Sequence, residues 1–383
     1  MTVFWSFPTR IVFGASSVEK VGPEAKHLGG TRALVITDEG VVAAGLVAKV
    51  TASLAEMDIP HETFSGISSN PKEREVIAAA EAYHRSKADI VVALGGGSPL
   101  DVGKLVRLRV SHSLPLADYD DAKNGGDKIT EPVPPMIAIP TTAGTGSEVG
   151  RSGVVTIEAT HKKTVIFAPR LIPNVAILDP EMTATMPPKT TAATGFDALT
   201  HCIEAYCSLG NHPLCDGVAL HGIELVAAHL TTAVENGRDL EARGGMLKAA
   251  MMGAVAFQKG LGACHSLAHP LSAENNLHHG LANALCLPAV IDFNRSAVPE
   301  KIARIAKMLG ARGDDIETLA FECSGAVRAL RQQVGLPDGL GKSGIEESML
   351  PRLAKLAVED ACHALNPRPC TVDDMLALYR ASI

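Results

Sequence analysis

The stretch Ala88-Asp-Ile-Val-Val-Ala-Leu94 is short and apolar, and it runs straight into Gly95-Gly96-Gly97-Ser98-Pro99-Leu100-Asp101. An apolar run of this length ending in glycines reads as a buried strand, and the pattern after it is helical. Strand, glycine turn and helix in that order bring backbone N–H groups to a helix N-terminus, where phosphate binds. Glycine lets the backbone approach such a ligand closely. Ser98 is placed to cap the helix and Pro99 to take its first position. A second loop, Pro140-Thr141-Thr142-Ala143-Gly144-Thr145-Gly146-Ser147-Glu148, directly follows the apolar run at 136–139. Two such loops, each ending a parallel strand, predict a phosphate-rich ligand held from two sides. Two ordinary strand-to-helix turns would share the same composition.

Around these loops, strand and helix patterns alternate through about residue 180. Strands are expected at 31–37, near 61–64, at 88–94 and at 136–139. Helices are expected at 41–57, at 71–85 and from 98 onward. Alternation of this kind implies a parallel sheet covered by helices. The runs at 154–157, 164–167 and 175–178 have strand character with no helix between them. The segment Asp179-Pro-Glu-Met-Thr-Ala-Thr-Met-Pro187-Pro188 is the best domain boundary. Beyond it the pattern is helical, with Ala/Leu/Met-rich segments at 189–207, 216–234, 246–257, 281–293, 300–309 and 316–333. The expectation is an α/β domain over 1–183 and an all-helical domain over 184–383. A chain of 383 residues suits two domains.

Composition narrows the function classes. At 46% hydrophobic and 20% charged, the chain buries a large core, and its net charge of −7 argues against a nucleic-acid partner. No apolar run is expected to reach the length that spans a bilayer, so no membrane role is expected. The N-terminus lacks the charged start and apolar stretch of a signal peptide. Eight cysteines with no CxxC pair make no disulfide framework, and the expected location is the reducing cytoplasm.

The helical half carries the second informative pattern. Asp197-Ala-Leu-Thr-His201 places a carboxylate and an imidazole four residues apart, on one helix face. His265 and His269 repeat that spacing, and His278-His279-Gly280 follows. One carboxylate and several imidazoles from separate segments are what a divalent transition metal needs. Surface polar residues and a few core histidines would be the plain alternative. Buried without partners, so many polar side chains would cost several kcal/mol. A zinc-thiolate site is disfavoured, because Cys202 and Cys264 each adjoin a candidate ligand and so point to a different helix face.

The segments GGGSPLD at 95–101, PTTAGTGSEV at 140–149, GFDALTHCIEAY at 195–206, GLGACHSLAHPL at 260–271 and HHGLANA at 278–284 are together highly specific. On them the chain resembles the iron-containing (group III) alcohol dehydrogenase family over nearly its whole length. The resemblance implies a dehydroquinate synthase-like fold: an α/β N-terminal dinucleotide-binding domain plus an all-α C-terminal domain. It further implies one divalent metal in the cleft between them. Carried onto this sequence, the metal ligands are Asp197, His201, His265 and His279. His269 matches a histidine near the nicotinamide and is the expected proton relay.

For the cofactor, the family's deciding position lies after Thr37 and is Asp38 here. A carboxylate there accepts bonds from the ribose diol and repels the extra phosphate of NADP, which supports NAD. A helix cap at Asp38 is the competing reading. By the same resemblance Asn70 and Lys163 lie near the cofactor, with Gly95, Gly96, Gly97, Ser98, Thr141, Thr142 and Ser147 in the two loops. Asp101 is expected to support the glycine turn. The metal would act as a Lewis acid on an alcohol or carbonyl oxygen; Fe2+ is favoured, and Zn2+ suits the same ligands.

Substrate is read from two departures. Arg151 stands at a position the family often leaves uncharged, and Lys259 lies where other members often have Asn-Ala before the glycine. Together they are expected to make a basic pocket, since arginine favours planar carboxylates. The expected substrate is a primary alcohol or aldehyde, with an ω-hydroxy acid such as 4-hydroxybutyrate and its semialdehyde as candidates. A generic short-chain alcohol or diol without an anion pocket is the alternative. A non-redox synthase or lyase on the same scaffold, or a non-catalytic metal- or NAD-sensing protein, would give no NADH signal in turnover. The apolar, strand-like segment Phe4-Trp-Ser-Phe-Pro-Thr-Arg-Ile-Val-Phe13 is an edge that needs covering, and at least a homodimer is expected.

Overall fold

The computed structural model describes residues 9–160 and 162–383; residues 4–8 of the expected edge strand lie outside the described residues. The chain divides into two compact units. One contains residues 9–142 and Gly146–Thr185, the other Ala143–Thr145 and Met186–Ile383. The boundary therefore falls two residues beyond the expected one, and three residues of the Thr/Gly loop belong with the helices.

Among the described residues, the α/β unit holds eight strands: β1 (Arg10–Phe13), β2 (Ala33–Ile36), β3 (His61–Phe64), β4 (Ile90–Gly95), β5 (Met136–Pro140), β6 (Ser152–Ile157), β7 (Lys162–Phe167) and β8 (Val175–Leu178). Its helices are α1 (Val21–His27), α2 (Glu39–Ala43), α3 (Leu46–Glu56), α4 (Glu73–Ser86) and α5 (Gly97–Ser111). Six strands form one sheet in the order β1-β8-β5-β4-β2-β3, with every pairing parallel. Strands β2, β4, β5 and β8 are buried along their whole length, which is why they read as continuous apolar runs. From β2 the chain steps outward to β3, then returns to the other side of β2 with β4. The ends of β2 and β4 therefore flank a topological switch point, where open α/β sheets bind ligands.

One local expectation is corrected. The helix read over 41–57 breaks into α2 and α3 at Gly45, whose φ of +73° is a left-handed conformation. The runs at 154–157 and 164–167 are strands with no helix between them, as expected, and they pair as an antiparallel hairpin, β6–β7, outside the main sheet.

The helical unit contains α6 (Pro188–Cys207), α7 (Pro213–Glu235), α8 (Leu240–Ala256), α9 (Ala263–Asn275), α10 (His279–Asn294), α11 (Pro299–Met308), α12 (Ile316–Gln333), α13 (Leu350–Glu359) and α14 (Val372–Arg380). Helix α6 opens on Pro187-Pro188, a favoured start, and is buried on nearly all sides from Thr191 onward. Helix α10 carries Pro288 internally, which frees the carbonyl of Ala284. The Arg331 guanidinium of α12 donates to that carbonyl at 3.4 Å.

By length and composition α7 is apolar enough to cross a membrane, which corrects the expectation that no run reaches that length. It packs on α6 and α8 through Cys215, Ala219, Ile223, Val226 and Leu230, and turns His221 and Glu224 to solvent. That is the pattern of a bundle helix. None of the eight cysteines is in a disulfide, and six are buried.

Candidate functional site

In the α/β unit the structure gathers the two loops at the switch point. Asp38 ends the segment after β2, and its Oδ1 accepts from the Val41 N–H at 2.9 Å, so it caps α2. Its other carboxylate oxygen lies 3.3 Å from the place a Cβ on Gly95 would occupy. Cap and candidate ribose acceptor are thus one residue, with one oxygen for each task. Gly95 has a φ of +154°, and a Cβ there would sit 2.5 Å from the Pro99 ring, so the turn requires glycine. Thr141 donates its N–H to the Gly95 carbonyl at 2.9 Å, and the Thr142 side chain packs over Gly96.

Ser98 does not cap α5. The helix begins at Gly97 with Gly96 as N-cap, which puts Ser98 and Pro99 inside the first turn. The Ser98 hydroxyl instead donates to the Ser69 carbonyl at 2.8 Å and ties the turn to the exposed segment that carries Asn70. Asp101 holds the other loop rather than the glycine turn. Its carboxylate accepts from Ser147 Oγ at 2.6 Å, from the Val154 N–H at 3.1 Å and from Lys104 Nζ at 3.4 Å.

Lys104 is fully buried and also donates to Ser147 Oγ at 2.6 Å and to the Ser152 carbonyl at 2.7 Å. Burial pushes its ammonium down, and Asp101 opposes that. The neighbouring Glu148 is buried too, which pushes its carboxyl up to about 7. Lys163 lies on β7 opposite Thr156. Arg151 is half-buried just before β6, with its guanidinium carbon 5.5 Å over the Phe167 ring.

In the helical unit the candidate ligands converge on one oxygen. The His279 Nε2 lies 3.4 Å, the His265 Nε2 3.8 Å and the His201 Nε2 4.0 Å from Asp197 Oδ1. Two of these separations are too long for a hydrogen bond of any strength. They suit donors around a common ion: bonds of about 2.1 Å at tetrahedral angles put neighbouring donors about 3.4 Å apart. The ligand atoms of Asp197, His265 and His279 all lie within 4.8 Å of one another. His201 stands at the edge of this group with its ring stacked on His265, centroids 4.5 Å apart.

The close approach is built into the backbone. A Cβ on Gly280, at the start of α10, would lie 2.1 Å from the Ala193 carbonyl oxygen, so only glycine lets α10 meet α6 here. Burial works to raise the Asp197 pKa, yet the imidazoles of His201, His279 and His265 and the Asn283 amide hold it down at about 2. His201 is depressed to about 4 by burial, against the pull of Asp197. A carboxylate and a neutral imidazole are the protonation states that ligate a metal.

Asn283 and Glu204 also belong to this cluster. Asn283 is fully buried and donates to Asp197 Oδ1 at 2.8 Å, with His279 Nε2 at 3.3 Å and His265 Nε2 at 3.5 Å. Its sequence signal is an amide four residues after His279, so on the same face of α10, within an apolar run. Glu204 accepts from His265 Nδ1 at 2.6 Å. Its signal is its place on the α6 stripe, seven residues after Asp197.

His269 stacks on His279 with centroids 5.3 Å apart, and its Nδ1 meets Asp360 Oδ2 at 2.7 Å. Asp360 has no local signal, since 91 residues separate the pair. Asp360 also accepts from Ser266 Oγ and from the Cys362 N–H, each at 2.8 Å. Burial works against its charge, but these partners hold its carboxyl well below the usual range.

Lys259 is not available as a pocket cation. Its side chain is 1% exposed; Nζ is ion-paired with Asp216 and donates to the Tyr206 carbonyl at 2.9 Å. A desolvated ammonium needs such partners, and here the fold itself supplies them.

A family model for iron-containing alcohol dehydrogenases matches residues 8–180, and one for the C-terminal part of the same family matches 191–383. The chain belongs to the iron-containing alcohol dehydrogenase family. It is 37% identical to the 4-hydroxybutyrate dehydrogenase of Cupriavidus necator over 97% of each chain. The crystal structure of a 1,3-propanediol oxidoreductase superposes with a TM-score of 0.97 at 36% identity, covering 100% of both chains. The sulfoacetaldehyde reductase of Bifidobacterium kashiwanohense, solved in complex with NAD+, superposes with a TM-score of 0.88 at 30% identity, covering 100% of this chain and 98% of its own. As a member of this family, the chain is an oxidoreductase of alcohols and aldehydes.

Proposed function

We propose that the chain is an NAD-linked, metal-dependent alcohol dehydrogenase or aldehyde reductase that works in the cytoplasm on a short ω-hydroxy acid or its semialdehyde. The observation that carries this reading is the convergence of Asp197, His265 and His279, with His201 beside them, at separations that fit one shared divalent ion. Iron is the first candidate and zinc the second, since both accept one carboxylate with imidazoles. NAD is supported by the Asp38 carboxylate over the Gly95 turn and by the NAD+ complex of a relative.

When bound, the ion would polarise the substrate oxygen and the nicotinamide would carry the hydride. The chain's own residues handle the proton. Asp360 accepts the Nδ1–H of His269, which leaves Nε2 as the exchanging nitrogen. In the oxidation direction His269 Nε2 takes the hydroxyl proton, and in reduction it returns one. Asp360, held ionised, fixes the ring throughout.

The substrate class rests on Arg151. Its cation lies over the Phe167 ring, and a planar guanidinium is the side chain that best recognises a carboxylate. 4-Hydroxybutyrate and sulfoacetaldehyde, named for two relatives, each carry an anionic group. Arg151→Ala is therefore expected to raise the Michaelis constant for succinic semialdehyde about ten- to a hundredfold. A neutral aldehyde of similar length should be nearly unaffected. Steady-state NADH oxidation with both aldehydes reads the difference, and equal losses on the two would move Arg151 to the scaffold or cofactor. A generic short-chain alcohol or diol is then the reading that stands, and the burial of Lys259 in its ion pair already favours it by removing half of the expected basic pocket.

Assembly is part of the same proposal. Among the described residues, strand β1 pairs β8 on one side only and ends the sheet, and its Phe13 is 46% exposed. An edge of this kind is normally covered, and a second copy of the chain is the proposed cover. Light scattering at micromolar concentration is expected to give at least a dimer; a monomer would contradict it.

A further inference from the structure

Helix α9 begins without a cap of its own. Its N-cap is Gly262, which has no side chain to offer the first-turn amides. The carboxylate of Glu204, on α6, takes that place. Its Oε1 accepts the Cys264 N–H at 2.6 Å, and its Oε2 receives the His265 N–H at 3.4 Å and His265 Nδ1 at 2.6 Å. All three donors come from one turn of α9, and the Glu204 side chain is only 3% exposed. An anion at a helix N-terminus is favourable by charge as well as by hydrogen bonding.

The same contact decides which nitrogen of His265 is bare. A carboxylate accepts and cannot donate, so the proton of a neutral imidazole sits on Nδ1. Nε2 then carries the lone pair. The opposite side of the ring agrees: Nε2 lies 3.5 Å from the Asn283 amide nitrogen, a donor. An acceptor at Nδ1 and a donor at Nε2 therefore specify the same tautomer.

We infer that Glu204 is a positioning residue for the metal centre, which docks the first turn of α9 and holds His265 in the tautomer that presents Nε2 to a divalent ion. This rests on reading the Asp197–histidine cluster as a metal site. Helix α6 thus carries on one stripe two ligands and the group that orients a third. Glutamine in its place offers one oxygen for three donors. If that oxygen keeps the Cys264 N–H, the amide N–H group faces His265 Nδ1 and favours the proton on Nε2, where it blocks ligation.

The test is Co2+ titration of metal-stripped protein, followed by its visible absorption against a competing chelator. Glu204→Gln is expected to weaken Co2+ about ten- to a hundredfold. In a His265→Ala background the same change should have no effect on the residual affinity, because the histidine it orients is gone. An unchanged Co2+ affinity in Glu204→Gln, or an equal loss in the His265→Ala background, would reduce Glu204 to a helix cap. Failure of the wild-type protein to bind Co2+ would instead overturn the metal reading itself. Should the variants fold poorly, nitrogen-15 NMR of imidazole-labelled, metal-free wild type well above the imidazole titration range decides: a protonated Nδ1 and bare Nε2 for His265 are expected, and the reverse would overturn the inference.

Discussion

Asp197→Asn is expected to remove the bound metal and with it at least about a thousandfold of activity, since Lewis-acid stabilisation of a developing alkoxide is worth several kcal/mol. Asp197 is the sharpest choice because three imidazoles and the Asn283 amide all turn toward its Oδ1. Asparagine keeps the volume of the side chain, so the packing of α6 against α10 is preserved. It removes the charge that balances the cation. Metal content by elemental analysis and turnover by NADH absorbance should fall together. Wild-type turnover in a variant shown to hold no metal would break the link between them.

Asp38→Gly is expected to shift cofactor preference. The residue does two things, and the substitution separates them. Glycine is a tolerated N-cap, so the loss of the 2.9 Å bond to Val41 costs only a few tenths of a kcal/mol. The loss of the second carboxylate oxygen is the larger effect, because a charge-assisted bond to a ribose hydroxyl contributes about 1.5–3 kcal/mol. The ratio of kcat/KM for NAD over NADP should therefore drop about ten- to a hundredfold, and more where the relieved repulsion of the 2′-phosphate adds to it. An unchanged ratio, with a slightly lower melting temperature, would leave Asp38 as a cap alone.

What could be read in the sequence follows from how far each contact reaches. The strand–glycine–helix unit at 90–111 and the four-residue spacing of Asp197 and His201 are local, and both appear as expected. Side-chain period and glycine placement carry that much. Ser98 falls two residues past the true cap because a glycine N-cap leaves no side-chain mark, and its hydroxyl is recruited by Ser69 instead. The helix at 41–57 hides its break because Gly45 sits within an otherwise continuous apolar pattern. Lys259 reads in sequence as a pocket cation beside a glycine; its partner Asp216 is 43 residues upstream on α7, and no local pattern links them. Asp360 and Glu204 show the same limit. The residues that orient the histidines come from other helices, so they emerge only once α6, α9 and the segment after α13 are packed.

The account stands most directly on metal content measured alongside activity in the unmodified protein. A sample stripped by chelator should lose turnover, and refilling with Fe2+ or Zn2+ should restore it as metal rises to about one equivalent per chain, the number one Asp and three His support. Full turnover with NADH in a sample that elemental analysis shows to be metal-free would contradict it.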